Sequence, residues 1–229
     1  MSWILCIETA TEVCSVALAK DDQVQFLKED HSNYKHSESL TVFIEALLAE
    51  AQIAPTDLSA IAISKGPGSY TGLRIGMAAA KGLCFALQIP LIGICTLESL
   101  AWQGIQKTAQ ETCLHIPMID ARRMEVFTAI YNHQLQVVKK VNAAIINNES
   151  FQFELNNNKI CLYGSGALKC IEVLTNPNAI FIKDIYCSAK SLAALAHPKY
   201  LAQQFEEIAY FVPNYGKQYE TRIKTNNLL

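Results

Sequence analysis

The sequence lacks a charge excess of either sign. Its 19 basic and 21 acidic residues leave a formal net charge of −2. A chain that grips nucleic acid unaided usually carries a basic excess, so any nucleic-acid role is expected to be shared with a partner. No Cys-x-x-Cys pair occurs among the eight cysteines, Cys6, Cys14, Cys84, Cys95, Cys113, Cys161, Cys170 and Cys187. Most stand in apolar runs and read as small buried hydrophobes of a reducing compartment, not as a disulfide frame or zinc site. No two of the five histidines are three or four residues apart, the spacing that would place a metal pair on one helix face. His31, His36, His115, His133 and His197 therefore read as structural or solvated. There is no Gly-x-Ser-x-Gly elbow, and Gly164-Ser165-Gly166 lacks its spacing. Membrane-length apolar runs are missing as well: Lys81, Gln88 and Pro90 interrupt the richest stretch. Glu8 and Glu12 follow the N-terminus too closely for a signal peptide. The expectation is a cytoplasmic protein with no membrane contact.

What is present is enough apolar material for a sizeable core. The 229 residues are 51% hydrophobic and 17% charged, which suits one large domain or two lobes. The stretch that organises the chain is Lys65-Gly66-Pro67-Gly68-Ser69-Tyr70-Thr71-Gly72-Leu73-Arg74-Ile75-Gly76. A short apolar run, Ala60–Ser64, precedes it and reads as a buried strand. Met77–Leu87 follows and reads as a helix stopped by Pro90. A strand–glycine loop–helix unit can aim backbone N–H groups at an anion. Two known phosphate loops fail on counting: Leu73-Arg74, not Lys-Ser or Lys-Thr, follows Gly72, and Thr71 stands where a dinucleotide fingerprint needs glycine. The other reading of these glycines is close packing of strand on helix. Gly72, Gly76 and Ala80 recur every fourth residue as a small-residue ridge, and Ile75, Ala79 and Leu83 form the next ridge. Apolar residues thus cover more of this helix than one buried stripe needs. The helix is either deep in its own domain or pinched against a partner.

Taken in order, Trp3–Ile7, Cys14–Leu18 and Val24–Leu27 read as strands. A helix from about His36 carries Leu40, Phe43, Ile44, Leu47, Leu48 and Ala51 at three-and-four spacing. Pro90–Ile94 reads as a buried strand, and Thr96 caps a helix to about Lys107. The second half then restarts. At an offset of 112 residues Ile4 meets Ile116, Ile7 meets Ile119, Glu8 meets Asp120, Ala17 meets Ala129 and Lys28 meets Lys140. Either any two hairpins look alike, or the chain is a duplicated ββαβα-type architecture in two lobes, residues 1–107 and 108–229. Farther on, Ile160–Tyr163 and Ile180–Ile182 read as strands, Ala167–Leu174 and Ser188–Ala196 as helices, Pro198 as a restart, and Asn226–Leu229 as a frayed tail. Glu8 and Asp120 end matching strands. Such carboxylates hold magnesium through water in two-lobed nucleotide folds, or else cap turns.

Together, Cys6-Ile7-Glu8-Thr9-Ala10-Thr11, Cys14-Ser15-Val16-Ala17-Leu18, Gly66 to Gly76, and Asp120-Ala121-Arg122 with Glu125-Val126 resemble the TsaB (YeaZ) family. The resemblance runs from Met1 to about Tyr131 and continues only in outline. It implies an α/β fold, the duplicated actin/Hsp70-like (ASKHA) fold, with two lobes of mixed sheet flanked by helices. It implies a role in forming threonylcarbamoyladenosine at position 37 of tRNAs reading codons that begin with A, as a non-catalytic partner. The implied partners are a TsaD-like paralogue, which carries out the transfer, and a TsaE-like ATPase. A homodimer is expected when the chain is alone, and tRNA is met only through the complex. TsaD-like sequences carry a His-x-x-x-His metal pair after the strand resembling Pro90–Ile94. Thr96 and Leu100 stand at those positions here, so no metal ligand is expected. That departure also weakens a peptidase reading, for which there would be no metal to activate water. The rival class is a small kinase of the same superfold. The expected partner surface comprises Leu40, Phe43, Ile44, Leu47, Gly72, Ile75, Gly76, Ala79, Ala80 and Leu83. Nucleotide contact, if any, would fall on Glu8, Thr9, Gly66, Gly68, Arg74 and Asp120. No catalytic residue and no tightly bound cofactor is expected, only weak nucleotide binding at most.

Overall fold

The structure is a computed structural model, and it describes residues 1–32, 36–108 and 113–216. The chain opens with β1 (Trp3–Glu8), β2 (Cys14–Lys20) and β3 (Gln23–Asp30), followed by α1 (His36–Ala51), β4 (Leu58–Ser64), α2 (Tyr70–Leu87), β5 (Leu91–Ile94) and α3 (Thr96–Lys107). It then repeats with β6 (Cys113–Asp120), β7 (Glu125–Tyr131), β8 (Val137–Ile145), α4 (Gln152–Asn157), β9 (Lys159–Tyr163), β10 (Ala179–Phe181) and α5 (Ala189–Leu201). Two five-stranded sheets result, in the orders β3-β2-β1-β4-β5 and β8-β7-β6-β9-β10. In each, the first three strands are antiparallel neighbours and the last two run parallel to the first. The two sheets have one topology, as the offset repeat suggests, with a third antiparallel strand in each lobe beyond the ββαβα outline.

Helices on both faces make the central strands continuous apolar runs. On the first sheet, Leu5, Ile7, Val16, Leu18, Ile61 and Ile63 pack under α1 and α2. The opposite face is built of smaller residues, Cys6, Ala17, Ala19, Ala60 and Ala62, and α5 lies on it through Ala189, Leu192, Ala193 and Ala196. The second sheet packs Ile119, Ala129, Cys161 and Tyr163 under α3, through Leu97, Leu100 and Ala101. The last helix of each half thus covers the sheet of the other. Where α3 and α5 meet, Ser99 Oγ and Ser191 Oγ lie 2.6 Å apart.

Several expectations are corrected. α2 takes in the Gly72–Gly76 ridge ahead of Met77 and begins at Tyr70, because Ser69 caps it by accepting from the Gly72 N–H at 3.2 Å. Ala167–Leu174 holds only a short 3-10 turn, Leu168–Cys170. α5 runs through Pro198 to Leu201; the missing N–H falls near its end, and the face packed on the first sheet holds the helix. Cys113 and Cys161 are joined, because neighbouring parallel strands bring them onto one face with Cα atoms 6.3 Å apart; the other six cysteines are free. The tail at Asn226–Leu229 lies outside the described residues.

After α5, residues 203–216 form a strap back across the first lobe. Glu206 N donates to Leu91 O at 2.8 Å on the free edge of β5, and Asn214 N donates to Lys65 O at 2.7 Å beside the glycine loop. Lys65 and Glu206 pair at 3.1 Å, and Lys81 Nζ donates to Phe211 O at 3.2 Å. The strap ends with Tyr215 against Tyr70, ring centroids 4.7 Å apart.

Candidate functional site

The lobes enclose a cleft of about 600 Å³, lined from one side by Ala10, Thr11, Glu12, Gly68, Ser69, Tyr70 and Thr71 and from the other by Ile119, Asp120, Ala121, Arg122, Phe127 and Ser165. The two walls are equivalent turns of the duplicated fold. In the first lobe Glu8 Oε1 accepts from Ala10 N at 2.7 Å, and in the second Asp120 Oδ1 accepts from Arg122 N at 2.7 Å. Both acids therefore cap the turn two residues on. Their surroundings differ. Glu8 is 0% exposed, and its Oε1 also accepts from Ser64 Oγ at 2.7 Å, while Oε2 has no hydrogen-bond partner. Burial pushes its carboxyl up to about 7, against the pull of the Ala10 and Ser64 hydrogen bonds. Asp120 faces the cleft with its side chain 50% exposed and is paired with Lys169.

The glycine loop is spent on packing. Ser69 N donates to Ala10 O at 2.6 Å, and Leu73 N donates to Ser69 O at 2.9 Å. The Cα of Gly68 faces Ala10 O so closely that a Cβ would sit 2.2 Å from it; at Gly72 the same atom would sit 2.1 Å from Thr9 O. Gly66, at φ +99°, lies against the strap, where a Cβ would meet Asn214 O at 2.1 Å. Thr9 Oγ1 donates to Gly72 O at 2.8 Å, and His36 Nε2 donates to Thr11 O at 2.8 Å. Burial lowers the His36 pKa, against the opposing pull of this bond and of the Asp30 and Glu12 charges.

Of the six residues singled out for a nucleotide, only Gly68 and Asp120 line the cleft. Glu8, Thr9 and Gly66 are buried behind it. Arg74 is exposed on α2 with its guanidinium 4.7 Å from the centre of the Tyr70 ring. The sequence reading missed Tyr70, Arg122 and Phe127 as cleft residues. The signal for Arg122 was the offset repeat, which aligns it with Ala10 in the opposite wall.

The partner surface needs a similar correction. Leu40, Ile44, Leu47 and Ala80 belong to the core of the first lobe. Gly72 and Gly76 are buried against Thr9, so the small-residue ridge serves the chain's own β1–β2 turn and not a partner helix. Phe43, Ile75, Ala79 and Leu83 are only partly buried. Near them α1 and α2 expose Val42 and Phe85, 57% and 74% accessible, and Gly82, whose Cβ position is open. Thr96 and Leu100 are buried on α3. No group of three or more His, Cys, Asp or Glu side chains able to hold a metal occurs among the described residues. None of the described helices is long and apolar enough to cross a membrane.

Two sheets of one topology around a cleft define a duplicated, two-lobed α/β fold of the actin-like ATPase and kinase type. The activator of 2-hydroxyisocaproyl-CoA dehydratase from Clostridium difficile shares that fold at 9% identity, with a TM-score of 0.50 over 90% of this chain and 98% of that one. The profile of the tRNA N6-adenosine threonylcarbamoyltransferase (TsaD) family matches residues 30–225. The tRNA threonylcarbamoyladenosine biosynthesis protein TsaB of Haemophilus influenzae is 31% identical over 178 residues, 77% of this chain and 69% of that protein. The TsaB protein of Bacillus subtilis is 36% identical over 138 residues, 60% of this chain and 58% of that protein. YeaZ from Pseudomonas aeruginosa superposes with a TM-score of 0.80 at 27% identity over 94% of this chain and 100% of that one. The chain belongs to the TsaB/YeaZ family. Its match spans little more than half the length of the Bacillus subtilis relative.

Proposed function

We propose that this chain serves tRNA threonylcarbamoyladenosine formation as a non-catalytic partner of a TsaD-like transferase. The observation that carries the reading is the pair Thr96 and Leu100. They stand where the transferase type has its histidine pair, and both are packed into the interior. The glycine loop, whose Ser69, Gly72 and Leu73 amides and glycine Cα faces are engaged within the chain, supports weak nucleotide affinity and speaks against the kinase alternative. The purified chain given threonylcarbamoyl-adenylate and tRNA is expected to transfer nothing by itself. Product formed by the chain alone would sink the reading.

The partner docks on the outward side of α1 and α2. Phe43, Ile75, Ala79 and Leu83 form the half-buried floor, with Val42 and Phe85 standing proud. The same face serves a second copy when the paralogue is absent, as a two-fold contact, and a TsaE-like ATPase and tRNA join through the assembled complex. Gly82→Leu and Phe85→Glu test this in sedimentation with the TsaD-like protein of the same cell. Neither position is packed in the monomer, so thermal melts should not fall, and Gly82→Leu should gain slightly from helix propensity. Association should weaken tenfold or more, about 1.4 kcal/mol. Undiminished association in both variants would place the interface elsewhere.

A further inference from the structure

Two-lobed nucleotide folds hold a divalent cation, through water, near carboxylates at the strand ends. The residues of this cleft do not fit such a cation. Two carboxylates line the cleft, Glu12 in one wall and Asp120 in the other, and no group of three or more metal-ligating side chains forms among the described residues. Asp120 already has a cation of its own: Lys169 Nζ donates to Asp120 Oδ1. The ammonium is held at a second point, donating to Glu125 O at 2.7 Å, and the lysine side chain is only 21% exposed. The same Oδ1 also accepts from Arg122 N. The matching acid of the other lobe, Glu8, is wholly buried, with its Oε1 taken by Ala10 N and Ser64 Oγ. A hydrated Mg²⁺ dehydrates reluctantly. It would have to displace a partly desolvated ammonium or sit beside it, where like charges repel.

The lysine arrives from the turn after Gly164-Ser165-Gly166, the second lobe's counterpart of the glycine loop. Ser165 Oγ accepts from Asp120 N at 3.2 Å, so the loop and the acid are already docked, and Lys169 closes the arrangement. It also closes the turn between β6 and β7. There Glu125 N donates to Arg122 O at 3.1 Å, and Arg122 and Arg123 both take positive φ, 72° and 50°. Left-handed backbone is costly for such residues unless its surroundings hold it.

We infer that Lys169 is a built-in counter-ion that takes the place of the divalent cation at Asp120, making the cleft metal-independent and holding the Asp120–Glu125 turn with its two rim arginines. This stands apart from the partner role proposed above, and neither depends on the other.

The test uses Mn²⁺ alone as probe, with the full chain and free Mn²⁺ followed by electron paramagnetic resonance. The unaltered chain should show no saturable binding that Asp120→Asn removes. Lys169→Met should gain Mn²⁺ binding at least tenfold, and Lys169→Met with Asp120→Asn should lose the gain. Lys169→Gln, which keeps a polar group at the turn, repeats the test should the methionine variant fail to fold. Saturable Mn²⁺ binding by the unaltered chain that disappears in Asp120→Asn would overturn the inference. So would a folded Lys169 variant with no gain.

Discussion

Gly72→Ala is expected to destabilise the folded chain by about 3 kcal/mol, the upper end of what overpacking costs. The added Cβ would lie 2.1 Å from the Thr9 carbonyl oxygen. That obstacle is backbone, and it is tied to the same helix turn, because Thr9 Oγ1 donates to Gly72 O. Neither side can yield without breaking the contact of β1's turn with α2. Gly76→Leu should act in the same direction, since its Cβ would meet Thr9 Oγ1 at 2.3 Å and Ile63 Cδ1 at 3.4 Å. Gly82→Ala, on the open side of the same helix, is the control. It should stabilise by about 0.5–1 kcal/mol through helix propensity. In thermal melts of a chain this size, roughly 2–4 °C follows each kcal/mol, so the two alanine variants should move in opposite directions. A Gly72→Ala protein that melts with the parent would mean that the ridge does not pack on Thr9.

Replacing Glu8 should remove a large pH dependence. Burial leaves its carboxyl titrating at about 7 in the folded chain, against a reference of 4.5. The folded state therefore holds a proton between those values that the unfolded state has released. Stability falls as pH rises from about 4.5 to about 7 and is flat beyond, a loss of about 3 kcal/mol. Glu8→Gln keeps an oxygen for Ala10 N and Ser64 Oγ and cannot ionise. Its amide N–H₂ replaces an oxygen that has no partner, at a cost that does not vary with pH. The difference between parent and variant, measured by denaturant melts from pH 5 to 8, isolates this group. It also cancels His115, whose burial in the second lobe pushes its pKa down to about 4. The variant should gain on the parent as pH rises. Parallel curves would show that Glu8 ionises normally.

Much of this was legible one residue at a time. Continuous apolar runs placed β1 and β4, alternation placed β2 and three-and-four spacing placed α1, because a strand covered on both faces is apolar throughout and a helix buried on one face repeats with its own geometry. The duplication showed at Glu8 and Asp120, since each ends the central strand of its sheet and turns the chain in the same way. Gly66 to Gly76 announced a tight strand–helix unit, since only glycine lets two backbones approach so closely. The same letters left open what the glycines approach. Anion, partner helix and the chain's own turn make equal demands on a missing Cβ.

What the sequence by itself determined, then, was most of the strands and the longer helices, their repetition and the lack of a histidine pair at metal spacing, all consequences of local spacing. Only the tertiary structure decided the partners of those elements. It turned Leu40, Ile44 and Leu47 inward and left Phe85 outward, a choice of helix rotation that an apolar helix does not encode alone. It sent α3 and α5 across to each other's sheets, and the alanines of β2 and β4 leave room for α5 to lie close. It brought Lys169 to Asp120 from 49 residues away. A charge finds its counter-ion through the fold that carries both, and no spacing along the chain records the meeting.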